Sequence, residues 1–183
     1  MTTPAPQDIE VLLSADRIHA RVGELARAIA ADYRDTDDIL LVAVLKGAFI
    51  FLADLARALP IPNAVDFLAL SSYGARGTTR GALRLIMDLR ESIRGRHVVV
   101  VEDIVDTGHT LVYVRELLGV RRPASLRTCA LVTKPSRREV PVDLDYVGFE
   151  IPDVWVVGYG LDFADRFRTL PFVAELKRST YAK

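Results

Sequence analysis

The stretch HVVVVEDIVDTGHTL, from His97 to Leu111, predicts a strand, a turn and the beginning of a helix. Its first part, His97 to Val101, is an apolar, β-branched run of the length expected for a strand buried on both faces. Glu102 and Asp103 follow directly, and a buried segment rarely keeps two adjacent carboxylates without a reason. The segment from Asp106 to Thr110 then supplies hydroxyl groups, a glycine and a threonine suited to cap the following helix.

This order of elements is typical of an anion site at the carboxyl edge of a parallel sheet. In such a site, exposed backbone amides and the helix N-terminus bind phosphate, and the carboxylates bind hydroxyl groups or a metal ion. The local pattern therefore predicts a phosphate-binding site.

Length and composition favour one globular domain spanning residues 1–183. The 24 basic and 24 acidic residues balance, which argues against nucleic acid or an anionic membrane as the main partner. A single cysteine, Cys129, indicates a reducing compartment. The sequence shows neither an apolar run long enough to cross a bilayer nor a signal-peptide pattern, so we expect a cytoplasmic protein.

Hydrophobic periodicity along the chain predicts an α/β fold with a doubly wound, mostly parallel sheet flanked by helices. Residues 1–7 are expected to form a flexible arm, and the polar segment 71–81, with three glycines, is expected to form a mobile loop. The predicted helices are Ser14 (as the cap) to about Tyr33, Phe49 to Leu59 and Leu111 to Leu118; the predicted strands are Ile39–Leu45, Val65–Leu70, Leu83–Leu89, Leu126–Val132, Tyr146–Phe149 and Val154–Val157.

Polar residues follow several of the predicted strands. They are Lys46-Gly47, Glu102-Asp103, Lys134 and Asp162. Because parallel strands end at one edge of an open sheet, we expect these side chains to meet there. Each one alone is weak evidence, since a lysine after a strand is more often solvated and a tryptophan such as Trp155 more often belongs to the core.

The stretch from Val98 to Thr110 resembles the signature of type I phosphoribosyltransferases, which bind 5-phosphoribosyl-1-pyrophosphate. Over nearly its full length the chain resembles the hypoxanthine-guanine phosphoribosyltransferases. The stretches that carry this second resemblance are Val44 to Gly47, Ser72 to Gly74, Leu131 to Pro135 and Val147 to Asp162, the last reading VGFEIPDVWVVGYGLD. The resemblance implies a type I phosphoribosyltransferase fold with a small hood built from the terminal segments.

The same resemblance implies a purine-salvage reaction. Purine N9 of hypoxanthine or guanine would attack the ribose of phosphoribosyl pyrophosphate, with Mg²⁺ as cofactor, and pyrophosphate would leave. Asp106, Thr107, Gly108, His109 and Thr110 would bind the 5′-phosphate, and Asp106 would also assist proton transfer at purine N7. Glu102 and Asp103 would lie near the ribose hydroxyls, directly or through Mg²⁺.

Further site residues are implied for the pyrophosphate and the metal. Leu45, Lys46 and Gly47 would bind pyrophosphate, and the Leu45–Lys46 bond in this family can be cis. Arg168 would reach the same pyrophosphate, and Asp162 would bind a second Mg²⁺.

The family resemblance also implies which residues bind the purine. Lys134 would donate to the 6-oxo group, Trp155 would stack on the ring, and the Val156 backbone would meet the base edge. Ser72 and Tyr73 would form the tip of a catalytic lid over the reacting centre.

Some alternatives stay open at the level of sequence. A xanthine-preferring transferase and a nucleic-acid-binding regulator on the same fold both fit the phosphoribosyl signature, although zero net charge argues against the regulator. The expected partners are the small-molecule substrates and further copies of the chain, as a homodimer or homotetramer, with no nucleic acid and no membrane.

The chain departs from the family pattern at two site residues: Trp155 replaces the phenylalanine of many relatives, and His109 replaces the lysine of some. Arg137 and Arg138 are expected to be solvated.

Overall fold

A six-stranded sheet forms the centre of the computed structural model, which describes residues 8–36, 39–73 and 82–181. Its strands are β2 (Ile39–Leu45), β3 (Asn63–Tyr73), β4 (Ala82–Met87), β5 (His97–Val105), β6 (Ser125–Thr133) and β7 (Tyr146–Glu150), in the order β4-β3-β2-β5-β6-β7. All neighbouring pairs are parallel except β3 and β4, which are antiparallel. The predicted mostly parallel sheet is confirmed.

Helices cover both faces of this sheet. Helices α1 (Ala15–Asp32) and α2 (Phe49–Ala58) pack in one apolar core, and α3 (His109–Gly119) packs in the other. The strand β5 contributes to both cores, because Val99 and Val101 belong to the first and Val98 and Val100 to the second. This alternation explains why the run from Val98 to Val101 is apolar on both faces.

Helix α1 begins where the sequence predicts. Ser14 has extended backbone angles, and its hydroxyl oxygen accepts a hydrogen bond from the backbone N–H of Arg17 at 3.4 Å. The side chain therefore satisfies one of the N–H groups that the first turn of a helix leaves free.

A second, three-stranded sheet forms a hood above the main sheet's carboxyl edge. It consists of β1 (Ile9–Leu13), β8 (Val156–Val157) and β9 (Val173–Leu176), paired antiparallel in the order β1-β9-β8, and a short helix α4 (Arg178–Tyr181) follows. The predicted hood is present. Strand β1 has no counterpart among the predicted strands, because its partner β9 comes from the other end of the chain.

The structure corrects two local predictions around the central motif. Strand β5 continues through the two carboxylates to Val105, where pairing with β6 keeps the backbone extended. No threonine caps α3; the capping residue is Gly108, with a left-handed φ of 95° that strains other L-residues.

The predicted mobile loop is tested only in part. Its first three residues, 71–73, belong to β3, whereas residues 74–81 lie outside the described residues, as does the predicted arm 1–7. In the parts of the chain that the structure describes, every helix is too short or too polar to cross a membrane.

Candidate functional site

A cavity of about 350 Å³ lies between the carboxyl edge of the main sheet and the hood. It gathers most of the residues that the sequence singles out. The lining residues are Lys46, Gly47, Asp103, Ile104, Asp106, Lys134, Trp155, Val156, Leu161, Asp162 and Arg168. The expectation that these polar residues share one edge is met for Lys46, Gly47, Asp103 and Lys134, whereas Asp162 reaches the cavity from the hood and Glu102 does not line it.

The loop after β2 is tightly enclosed. The Leu45–Lys46 peptide bond is cis, as the resemblance implies. A Cβ on Gly47 would lie 1.7 Å from the Asp103 carboxylate, and a Cβ on Gly160, which has a φ of +103°, would lie 2.0 Å from the Gly47 carbonyl oxygen. Two glycines therefore let this loop fit between the carboxylate of β5 and the hood.

The adjacent carboxylates of Glu102 and Asp103 line two different cavities. Asp103 lines the main cavity, whereas Glu102 lines a second cavity of about 170 Å³ bordered by the segment Asp106 to Thr110, called here the phosphate-loop segment after its predicted role. Alternation along β5 explains the separation, since neighbouring strand residues point to opposite faces. Among the residues described, Ile104 and Asp106 line both cavities, and Asp106 is the charged one of the two.

Burial shifts the acidity of both carboxyls. Desolvation raises the pKa of Asp103 to about 6, although a backbone N–H from Ile104 at 2.9 Å favours the ionised form. Desolvation, with a smaller contribution from the Asp103 charge, raises the pKa of Glu102 well above its ordinary value. Within the described ranges, Glu102 Oε1 is buried without a hydrogen-bond partner, so this oxygen is available to a ligand.

The phosphate-loop segment is held by the turn that follows β6. Arg137 Nε lies 3.1 Å from Asp106 Oδ1, and Arg138 Nη1 donates to the Asp106 carbonyl oxygen at 3.0 Å. The prediction that both arginines are solvated is wrong for Arg138, which is half-buried, and incomplete for Arg137, which is exposed but pairs with Asp106. His109 Nε2 lies 3.1 Å from Glu139 Oε2, so its ring contacts the segment after this turn.

A loop of the hood brings the cations of the site together. Arg168 forms an ion pair with Asp162 at 2.6 Å and donates to the Gly160 carbonyl oxygen at 2.7 Å. Lys46 Nζ lies 3.1 Å from Asp165 Oδ1, and Arg168 Nη2 lies 3.3 Å from the same oxygen. Asp162 thus follows a hood strand, not a strand of the main sheet as predicted, and Asp165 was missed by sequence reasoning.

The other end of the cavity is suited to a flat ring. Lys134 is 7% exposed, and its backbone N–H donates to the Val105 carbonyl oxygen at 3.0 Å. Trp155 is 46% exposed and meets Phe163 edge to face with 5.7 Å between ring centres, so it is not a core residue. Val156, in β8, is buried beside it.

The lid residues are described only by their backbone. Ser72 and Tyr73 end β3, where they pair with Leu83 and Ala82 of β4. The remaining residues of the predicted lid, 74–81, are outside the described part of the chain.

The carboxylates of the cavity fit Mg²⁺ only as partial ligands. Asp103 and Asp162 line it, and carboxylate oxygens are what Mg²⁺ prefers. The residues described contain no group of three or more His, Cys, Asp or Glu side chains that could hold a metal ion. Such a site would suit an ion that takes its remaining ligands from water and substrate phosphates.

Comparison with known proteins agrees with this geometry. The phosphoribosyl transferase domain family matches residues 10–164. A Salmonella typhimurium hypoxanthine phosphoribosyltransferase is 48% identical over 169 residues, which cover 92% of this chain and 95% of that protein. A Dictyostelium discoideum hypoxanthine-guanine phosphoribosyltransferase is 46% identical over 177 residues, which cover 95% and 98%.

Solved structures show the same likeness. A Trypanosoma cruzi hypoxanthine phosphoribosyl transferase superposes with a TM-score of 0.89 at 42% identity, covering 94% of this chain and 93% of that one. The motif, the cavity and these matches together show that the chain belongs to the phosphoribosyltransferase family, in the group that contains the hypoxanthine and hypoxanthine-guanine enzymes.

Proposed function

We propose that this protein is a purine-salvage enzyme. It transfers the 5-phosphoribosyl group of phosphoribosyl pyrophosphate to N9 of hypoxanthine or guanine, forming IMP or GMP and pyrophosphate. One observation carries the proposal: a single cavity is lined by Asp106, by the cations Lys46 and Arg168, and by the buried Lys134 and the aromatic Trp155. Relatives that carry these substrates in their names support the choice of base.

The main barrier to the reaction comes from the charge that develops on the leaving pyrophosphate and on the ribose. Pyrophosphate leaves while the ribose gains positive character, so the site must stabilise the leaving oxygens. Lys46 and Arg168 supply fixed positive charge beside the loop that begins at the cis peptide bond. Bound Mg²⁺, held by Asp103 and Asp162, would neutralise further negative charge on the pyrophosphate.

The phosphoribosyl group itself is bound on the β5 side. The segment from Asp106 to Thr110 surrounds the smaller cavity with its backbone and hydroxyl groups, which suits the 5′-phosphate. Glu102 borders the smaller cavity and Asp103 the main one, and each can accept a hydrogen bond from a ribose hydroxyl on its own side. The unpartnered Glu102 oxygen supports this assignment.

The purine is bound at the Trp155 end. Trp155 and Ile104 both line the cavity and offer flat or apolar contacts to a ring. Lys134 donates to the 6-oxo oxygen, the Val156 backbone contacts the base edge, and the Asp106 carboxylate assists proton transfer at N7. A lid that includes Ser72 and Tyr73 would exclude water, which otherwise hydrolyses the activated sugar.

The surroundings of the enzyme are also part of the proposal. The sequence contains a single cysteine, Cys129, which is free and buried in β6, and a chain without a pair of cysteines suits a reducing compartment such as the cytoplasm. Assembly into a homodimer or homotetramer is proposed from the family resemblance.

The test is a comparison of nucleobases. Purified protein is incubated with phosphoribosyl pyrophosphate, Mg²⁺ and one of hypoxanthine, guanine, xanthine, adenine or uracil, and nucleotide formation is followed. We expect turnover with hypoxanthine and guanine. Preference for xanthine would favour the first alternative. Absence of turnover together with a salt-dependent mobility shift of RNA or DNA would favour the regulator.

A further inference from the structure

We propose that Arg137 is a positioning residue that orients the Asp106 carboxylate for proton transfer to and from the purine. This inference rests on the proposed function, because it assumes that Asp106 moves the proton. Arg137 lies in the short 3₁₀ turn Pro135–Arg137 that follows β6, directly after Lys134.

The guanidinium of Arg137 lies between two carboxylates. Its Nε is 3.1 Å from Asp106 Oδ1, and its Nη1 is 3.7 Å from Asp153 Oδ2. A guanidinium is planar and always charged, so contacts in two directions restrict its rotation. Asp153 therefore serves as the anchor from which Arg137 holds Asp106.

The neighbouring arginine fixes the backbone of the same aspartate. Arg138 Nη1 donates to the Asp106 carbonyl oxygen at 3.0 Å, and its Nη2 donates to Thr133 Oγ1 at 2.7 Å. Main chain and side chain of Asp106 are thus held by consecutive residues of one turn. Because Lys134 precedes that turn, the purine-binding lysine and the proton-transfer aspartate form one unit.

The contact uses only one of the two carboxylate oxygens. Oδ1 of Asp106 is paired with Arg137, whereas no side chain of the described ranges donates a hydrogen bond to Oδ2. The second oxygen is therefore available to a substrate proton. Arg137 itself lines a neighbouring cavity of about 440 Å³, which shares Asp106, Lys134 and Trp155 with the main cavity but not Lys46 or Arg168. Binding of phosphoribosyl pyrophosphate should therefore not depend on Arg137.

The inference is tested by turnover and KM in parallel. In Arg137→Gln we expect kcat to fall roughly tenfold, because small misplacements of a catalytic group are costly, while KM for phosphoribosyl pyrophosphate stays within about twofold. Arg137→Lys should recover part of the loss, since it restores the charge without the planar double contact. The matched control is Arg34→Gln, an exposed arginine before β2 at the opposite edge of the sheet, which should behave as wild type.

A double-mutant cycle decides whether Arg137 acts through Asp106. In an Asp106→Asn background, Arg137→Gln should lower kcat by no more than about twofold further. Equal losses in both backgrounds would overturn the inference, as would wild-type kcat in Arg137→Gln. If Asp106→Asn alone kept full turnover, the proposed role of Asp106 would fail and the inference with it. An impaired Asp106→Asn with an unimpaired Arg137→Gln would overturn the inference alone.

Discussion

The Lys46 ammonium lies 3.1 Å from Asp165 Oδ1, and this same oxygen lies 3.3 Å from Arg168 Nη2. One exposed carboxylate thus pairs with both cations to which we assign pyrophosphate binding. Hydrogen bonds from these two partners lower the pKa of Asp165, so the carboxylate is charged at neutral pH. We therefore expect pyrophosphate to compete with Asp165 for contacts with Lys46 and Arg168.

The first prediction follows from this competition. Asp165→Asn should tighten pyrophosphate binding by roughly two- to fivefold, which is the range expected when an exposed ion pair no longer competes. Isothermal titration of the protein with Mg²⁺ and pyrophosphate measures the change. The matched control is Asp35→Asn, an exposed aspartate in the turn before β2 at the opposite edge of the sheet. Unchanged or weaker binding in Asp165→Asn would show that the carboxylate does not compete.

The second prediction concerns Mg²⁺. Asp162 pairs with Arg168 at 2.6 Å, and its Oδ2 accepts the backbone N–H of Asp165 at 2.8 Å, so its removal has structural and electrostatic effects. Asp162→Asn keeps an oxygen for that backbone hydrogen bond and loses only the charge. We expect the Mg²⁺ concentration for half-maximal turnover to rise roughly 10- to 100-fold in this variant, as for a lost metal contact.

A titration of the initial rate with Mg²⁺ checks this expectation. Asp162→Ala, which also loses the backbone contact, should need at least as much Mg²⁺ as Asp162→Asn. Full wild-type activity in excess chelator would contradict the assigned metal ligands.

The third prediction concerns stability and pH. Burial raises the pKa of Asp103 from 3.8 in the unfolded chain to about 6. Between these values the folded protein binds the proton more tightly, so the free energy of unfolding falls as the pH rises. Above pH 6 the whole loss is present and amounts to about 3 kcal/mol, at 1.36 kcal/mol per pKa unit.

Replacement of this carboxyl should therefore stabilise the protein in a pH-dependent way. In chelator, Asp103→Asn should raise Tm clearly at pH 7.5 and much less at pH 4.5, while turnover with Mg²⁺ falls. Thermal unfolding followed by circular dichroism measures both pH values. The same change of Tm at both would mean that the Asp103 charge is not destabilising.

The fourth prediction concerns the choice of purine. The ammonium of Lys134 has three donors and no acceptor, and the residue is 7% exposed. Hypoxanthine and guanine present an oxygen at position 6 that can accept a hydrogen bond from this ammonium. Adenine presents an amino group there, which would leave the buried charge of Lys134 unpaired. Sites built on such a hydrogen bond reject the wrong group by about 10⁴-fold.

We therefore expect almost no turnover with adenine. Lys134→Met should lower kcat/KM for hypoxanthine strongly and leave the affinity for phosphoribosyl pyrophosphate nearly unchanged, as measured by titration without purine. Use of adenine within about tenfold of hypoxanthine by the wild-type protein would contradict this reading of position 6.

Much of the framework could be predicted because its signals are local. The runs Ile39–Leu45 and His97–Val101 are apolar because both faces of these strands are covered, and Ser14 begins a helix because its own side chain caps it. Lys46, Asp103 and Lys134 could be grouped from the amino-acid sequence alone, since the ends of parallel strands share an edge.

The different roles of the two adjacent carboxylates also have a signal in the sequence. Glu102 and Asp103 continue the strand that begins at His97, and strand alternation then requires them to face opposite sides. Extending the strand through both residues places Glu102 at the cavity bordered by Asp106 to Thr110 and Asp103 at the main cavity.

The remaining features depend on contacts between distant segments. Strand β1 exists because β9 pairs with it, Asp165 reaches Lys46 because two glycines let the hood approach the loop after β2, and Arg137 reaches Asp106 because β5 and β6 are neighbours. Periodicity and capping act within a few residues, so the amino-acid sequence shows them directly. Ion pairs between the hood and the sheet edge join residues that are far apart in the sequence, so only the folded chain brings them together. These ion pairs fix the positions of the charged side chains in the site.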